Sequence, residues 1–240
     1  MLAVEGLSKR FGGFLAVNQV SFAAREGEIV GLIGPNGSGK STTFNLIAGA
    51  LRPSAGSIRF EGDEIGSLAA HTICRRGIAR TFQIPRPFRK LSLVENVALA
   101  AHYGAGDAIS RAEATRRAEE ALGLVGLPAG AAATTDGLGA AALKKLELAR
   151  ALATRPRLLL ADESLGGLDA TEMERAADLL ETIRSRMGIT IIWVEHIMGV
   201  LMRIVDRVIV LDHGEKIFEG APAQAAADPR VTEVYLGARA

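Results

Sequence analysis

The stretch from Gly34 to Thr42, Gly-Pro-Asn-Gly-Ser-Gly-Lys-Ser-Thr, constrains this chain more than any other part of it. It reads as a glycine, four residues and then Gly-Lys-Ser. It stands between the apolar run that begins at Glu28 and the helically spaced run Ser41–Gly49. Gly34, Gly37 and Gly39 let the backbone turn tightly and aim successive N–H groups inward, and a helix opening at Gly39 adds its positive end. Pro35, Asn36, Ser38 and Thr42 complete the cradle. Such a loop suits phosphate: Lys40 reaches the β and γ phosphates of a nucleoside triphosphate, and the Ser41 hydroxyl is a ligand for Mg²⁺. On its own the loop leaves an NTPase and a kinase equally open.

A second element narrows this. The apolar run from Leu158 ends in Asp162 and Glu163. A strand end puts Asp162 where it can hold Mg²⁺ through water, and leaves Glu163 to polarise an attacking water. An Asp-Glu pair by itself is often only a strand meeting solvent; downstream of a phosphate loop it becomes the partner that loop needs.

The rest of the chain alternates in a way that fits one α/β unit. Val17–Phe22, Glu28–Gly34 and Ser57–Gly62 read as strands. The alanine-rich stretch from about Val94 to Gly126 reads as a helical insert, with Ala118, Leu122 and Val125 on one stripe. Residues 129–142 are small and read as a loop. Thr171–Met187 reads as an amphipathic helix opening on a capping box of Thr171 and Glu174. The runs from Thr190 and from Arg207 read as short buried strands of a parallel sheet.

Composition excludes several classes. Over 240 residues the formal charge is +1, which gives no general nucleic-acid surface. The single Cys74 can form no internal disulfide and belongs to no zinc pair, so it reads as a reduced thiol without a special role. Charges come too early in the first residues for a secretory signal, and no apolar run nears the roughly 20 residues needed to cross a bilayer. Work at a membrane would have to go through a partner.

With these residues in view, the chain resembles the ATP-binding-cassette (ABC) family over nearly its whole length. Phe11 resembles the aromatic that stacks on adenine. Gln83, in Ala79–Phe88, resembles the glutamine that joins the γ-phosphate and Mg²⁺ to the helical insert. Asp169 ends a Gly-Leu-Asp like that family's D-loop, His196 resembles the switch histidine that contacts the γ-phosphate, and Leu146–Leu152 resembles the helix after the signature motif. The resemblance implies a P-loop NTPase fold with a mixed parallel sheet, an antiparallel β subdomain and a small helical insert. It implies one ABC ATPase domain over 1–240, a helical subdomain at about 84–150 and a C-terminal tail at about 215–240.

Within the family, Arg80–Val97 and the tail Val205–Gly237 resemble the ATPase subunits of branched-chain (hydrophobic) amino-acid importers. That subgroup implies ATP and Mg²⁺ as ligands, and catalytic roles for Glu163, His196 and Gln83. Metal contacts fall to Ser41, Gln83 and Asp162. The implied partners are a second ABC ATPase subunit, two membrane permease subunits and, indirectly, a periplasmic binding protein. No nucleic acid is expected, and the implied location is the cytoplasmic face of the inner membrane. The rivals are a soluble ABC-type ATPase not tied to transport and a P-loop kinase. The first usually carries a second cassette, a coiled coil or zinc cysteines, and the second should lack Gln83, the D-loop and His196 in that order.

The chain departs from the family pattern in two places. Where a signature of the form LSGGQ should stand, it has Leu138-Gly139-Ala140-Ala141-Ala142-Leu143, so Gly139 stands in place of the serine, Ala141 in place of the second glycine and Ala142 in place of the glutamine. Ser164 follows Glu163 where proline is usual. The expectation is a complete phosphate loop with a weakened signature, which in a heterodimer would face the ATP bound to the partner.

Overall fold

The computed structural model describes residues 1–130, 132–162, 170–195 and 198–236. The chain opens with β1 (Leu2–Phe11) and β2 (Phe14–Ala24), a hairpin whose register runs from Leu2 opposite Ala24 to Phe11 opposite Phe14. β4 (Ala55–Phe60) and the two-residue β5 (Asp63–Glu64) complete an antiparallel four-stranded sheet in the order β2-β1-β4-β5.

The second sheet has six strands. Its elements are β3 (Ile29–Ile33), β6 (Ile78–Arg80), β7 (Leu158–Asp162), β8 (Thr190–Val194), β9 (Arg207–Asp212) and β10 (Glu215–Gly220), in the order β10-β9-β3-β8-β7-β6. All neighbours are parallel except β10 on β9. Strands β3, β7 and β8 are buried along their whole length, as parallel strands covered on both faces must be. Their apolar side chains divide between two cores. Val30, Leu32, Leu160 and Ile192 pack with Phe44 and the antiparallel sheet, whereas Ile29, Ile33, Leu159 and Trp193 pack toward the helices.

Helix α1 (Lys40–Ile47) follows β3, and Gly49 with φ +71° lies just past its end, as expected of a C-terminal glycine. Between α2 (Ala70–Arg75) with β6 and strand β7 come α3 (Leu93–Gly104), α4 (Arg111–Leu124) and α5 (Ala140–Ala153). Ser92 and Glu95 form a reciprocal capping box on α3, and Ser110 caps α4. Ala118, Leu122 and Val125 are buried together, so the stripe seen in the sequence is the face by which α4 joins the core. The remaining helices are α6 (Ala170–Met187), α7 (Met198–Ile204), α8 (Pro222–Ala227) and α9 (Pro229–Leu236). No helix among the described residues is long and apolar enough to cross a membrane.

The capping box expected of Thr171 and Glu174 falls where the Thr171 side chain lies outside the described residues. One expectation needs correcting. The alanine-rich segment is a loop only to Gly139; Ala140, Ala141 and Ala142 form the first turn of α5, because alanine is the best helix former once a start is available.

The strand that carries the phosphate loop is anchored at its base. Glu28 accepts two bonds from the Arg207 guanidinium, at 3.0 and 3.1 Å, and one from the Arg25 N–H at 2.9 Å. Burial alone would raise the Glu28 carboxyl, but the Arg207 and Arg25 bonds outweigh it and hold the group below its ordinary value. A carboxyl whose folded pKa is depressed contributes stability above its unfolded pKa and loses it as pH falls through the folded value. Glu28→Gln is therefore expected to be less stable than the wild type in urea at pH 7, with the gap closing below about pH 4.

Candidate functional site

Parallel register decides where the site falls. Leu32 of β3 and Asp162 of β7 both pair with Val194 of β8. The three strands therefore end side by side, and the segments after them share one edge of the sheet, where open α/β sheets bind ligands.

The phosphate loop leaves that edge from β3. Gly34 has φ +150°, and a Cβ there would sit 2.1 Å from the Leu211 carbonyl oxygen; at Gly39, φ +101°, it would sit 2.8 Å from that of Ala16. Both positions need glycine for conformation and for space. Gly37, with φ +82°, needs it for conformation alone, since a Cβ there would meet nothing within 4 Å. Lys40 is 6% exposed, and its Nζ donates to the Gly34 and Pro35 carbonyl oxygens at 2.7 and 2.8 Å, so the ammonium spans the loop that precedes it. The hydroxyls of Ser38 and Thr43 are buried without a hydrogen-bond partner among the described residues. Asn36, Gly37, Ser38, Gly39, Lys40, Ser41 and Thr42, with Ala16 and Phe14, line a depression of about 260 Å³ at the N-terminus of α1. Glycines in left-handed conformations, an ammonium, buried hydroxyls and a helix N-terminus together fit a chain of phosphates.

Phe14 was not legible as part of the site. It lines the depression and is 66% exposed, while Phe11, 45% exposed, is its partner across the hairpin and lies under the Lys9 ammonium at 5.1 Å. Only the register of β1 and β2 brings the two aromatics to one tip.

Asp162 is 4% exposed and is held by β6 and the residue after it. Its N–H donates to Thr81 Oγ1 at 3.1 Å, and its Oδ2 accepts from Arg80 Nη2 at 2.7 Å. The same guanidinium donates to Asn45 Oδ1 on α1. Gln83 is exposed three residues beyond Arg80. The chain after it is tied to the helices: Arg150 of α5 donates to the Arg86 carbonyl at 2.8 Å and lies 5.1 Å from the Phe88 ring. The buried Asn96 of α3 donates to the carbonyls of Phe88, Leu91 and Ser92 and accepts from the Phe88 N–H. Glu163, Ser164, Asp169 and His196 lie outside the described residues.

Comparison with known proteins decides the family. The family model described as ABC transporter matches residues 17–166. The chain belongs to the ABC transporter family. A second model, described as branched-chain amino acid ATP-binding cassette transporter, matches residues 215–240. The cassette is similar to BraF, a high-affinity branched-chain amino acid transport ATP-binding protein of Pseudomonas aeruginosa, at 38% identity over 99% of this chain and 98% of the relative. It is similar to a probable branched-chain amino acid transport ATP-binding protein of Archaeoglobus fulgidus at 35% identity, over 100% and 96%. Among solved structures, the ADP conformation of MJ1267, an ATP-binding cassette of an ABC transporter, superposes with a TM-score of 0.89 at 28% identity, over 99% of this chain and 98% of that one. The dimeric post-hydrolysis state of MJ0796 bound to ADP and Pi gives 0.82 at 28% identity, over 92% and 99%. The cassette is accordingly a nucleotide-binding ATPase.

The segment Leu138–Leu143, where the sequence places an altered signature, lies at the start of α5. Gly139 is its N-cap, in extended backbone, and no side chain caps the helix. The N–H groups of the first turn remain as donors, but the hydroxyl that a serine would supply is gone. One such donor is worth roughly 3 kcal/mol of transition-state stabilisation in comparable sites. The double variant Gly139→Ser, Ala141→Gly is expected to hydrolyse ATP faster, by as much as about a hundredfold. Its thermal midpoint should fall slightly, because Ala141→Gly costs about 0.5–1 kcal/mol in the first turn of α5 while serine gains only a few tenths of a kcal/mol over glycine as the N-cap. An unchanged steady-state rate would mean that the main-chain donors suffice.

Proposed function

We propose that this cassette powers an importer for branched-chain or related hydrophobic amino acids, from the cytoplasmic face of the membrane. The observation that carries the substrate class is the match of residues 215–240 to the branched-chain cassette model, joined to near-complete alignment with branched-chain transport ATPases. The residues of the site support the chemistry. The loop Gly34–Thr42 grips the triphosphate with main-chain N–H groups and Lys40. Phe11 and its neighbour Phe14 offer aromatic surface to adenine.

Mg²⁺ fits the donors that remain. Among the described residues no cluster of three His, Cys, Asp or Glu could hold a metal by itself. A Mg²⁺ ion characteristically takes one carboxylate, a hydroxyl and waters, and leaves the other positions to phosphate oxygens. Asp162, Ser41 and Gln83 are the residues for it. When bound, it neutralises charge on the β and γ phosphates. Glu163 orients the attacking water as general base, while His196 and Gln83 contact the γ-phosphate. Glu163→Gln is expected to bind ATP normally and to hydrolyse it about 10² to 10⁴ times more slowly. Wild-type turnover in that variant would remove Glu163 from the role.

The surface beside Gln83 supports a permease partner. Phe82, Ile84 and Phe88 are 41%, 74% and 44% exposed, an apolar patch on one short segment. Next to it is a cavity of about 250 Å³ lined by Phe82, Arg80, Cys74, Glu147 and Arg150. Apolar residues gathered in this way mark a protein contact. A short helix of a permease subunit is its occupant, and residues 84–150 form the helical subdomain that moves with it. A second ABC ATPase subunit completes the sandwich around the nucleotides, and two permeases and a periplasmic binding protein complete the importer.

The decisive experiment reconstitutes the cassette with its permeases and binding protein in liposomes. ATPase activity should rise when the binding protein carries leucine, isoleucine or valine and stay basal with a sugar. Stimulation by a polar solute alone would overturn the substrate class. Ile84→Asp should abolish co-purification with the permeases while leaving ATP affinity unchanged.

A further inference from the structure

The carboxylate at the end of β7 is held by a residue to which nothing so far assigns a role. Arg80 closes β6 opposite Leu160, two residues short of Asp162. The Thr81 N–H donates to the Leu160 carbonyl at 3.0 Å, and the Asp162 N–H donates to Thr81 Oγ1. Arg80 Nη2 then takes Asp162 Oδ2 at 2.7 Å, with side chains only 11% and 6% exposed. Two successive residues, Arg80 and Thr81, thus fix both the side chain and the main chain of Asp162.

The other contacts of Arg80 all lead back to the nucleotide site. Nη1 donates to Asn45, and the guanidinium lies 5.8 Å from the Phe44 ring, both residues being on the helix that begins at Lys40. On its other side it lies 5.3 Å from the Phe82 ring, immediately before Gln83. Nε is buried without a partner. A cation placed to saturate its own hydrogen bonds would not leave one donor stranded; here two ends of a rigid fork are aimed at two acceptors on different elements. Buried ion pairs are weak sources of net stability, so the pairing is better read as geometry. Oδ1 of Asp162 has no protein partner among the described residues.

We propose that Arg80 is a positioning residue for the metal-binding carboxylate: it clamps Asp162 by one oxygen, leaves the other for the metal's water shell, and couples it to the phosphate-loop helix and the Gln83 segment. This rests on the Mg²⁺ reading of the same site. A lysine would supply the charge without the fork, and methionine would supply the stem without either.

The test measures binding of a fluorescent ATP analogue to the full chain, once with Mg²⁺ and once with EDTA. The wild type should bind more tightly with Mg²⁺. Arg80→Met should lose about tenfold or more of that enhancement, the usual effect of removing a residue that orients a metal ligand, with affinity in EDTA unchanged. Arg80→Lys should lose part of it. Asn45→Ala, which removes one of the guanidinium's two hydrogen bonds and leaves the ion pair, should lose less, in the same direction, and decides the matter if Arg80→Met fails to fold. Equal losses with and without Mg²⁺ would reduce Arg80 to a structural residue and overturn the proposal. So would wild-type enhancement in the variants. Absence of any enhancement in the wild type would overturn the Mg²⁺ reading as well.

Discussion

The parallel pairing of β3, β8 and β7 is the constraint on which the rest depends. Each rung fixes which residues end at the same height, and two of those ends are the start of the phosphate loop and Asp162. The side chains could be kept and the site still lost if β7 slipped by one residue, because every side chain on that strand would turn to the other face. Complete burial of the three strands guards against this. Leu160 and Ile192 belong to one core and Leu159 and Trp193 to the other, so a slip would push both sets into the wrong layer.

How much of this was legible in the chain depends on whether the information was local. The phosphate loop was, since a glycine pattern between an apolar run and a helical run specifies its own backbone. The strand at Leu158–Asp162 and the stripe Ala118, Leu122, Val125 were equally local, the first as an unbroken apolar run and the second by helical period. What stayed hidden required partners distant in sequence. Phe14 looks like any strand residue until the hairpin is seen to line the same depression as Asn36–Thr42. Arg80 looks like a surface cation until β6 lies against β7. The mismatch is local as well: the small size of the alanines after Gly139 suggests a loop where their propensity governs.

The two kinds of residue at the site have different tolerances. Gly34 and Gly39 are required by main-chain approach, where no side-chain adjustment can help. At the signature, the chain keeps the helix end, which is a main-chain feature, and gives up a side chain. Family membership is thus compatible with a local loss of this kind, since the backbone geometry that defines the fold is untouched.

Asn96 has a mechanical consequence. One amide group satisfies three carbonyls and one N–H across the stretch Phe88 to Ser92, and it does so from within α3. That stretch owes much of its shape to a helix, with a single bridge from Ser92 to Thr134 beside it. Its stiffness is therefore borrowed from α3 through Asn96 and from α5 through Arg150, so the Phe88 ring sits on a connection tied to two helices and not on a slack loop.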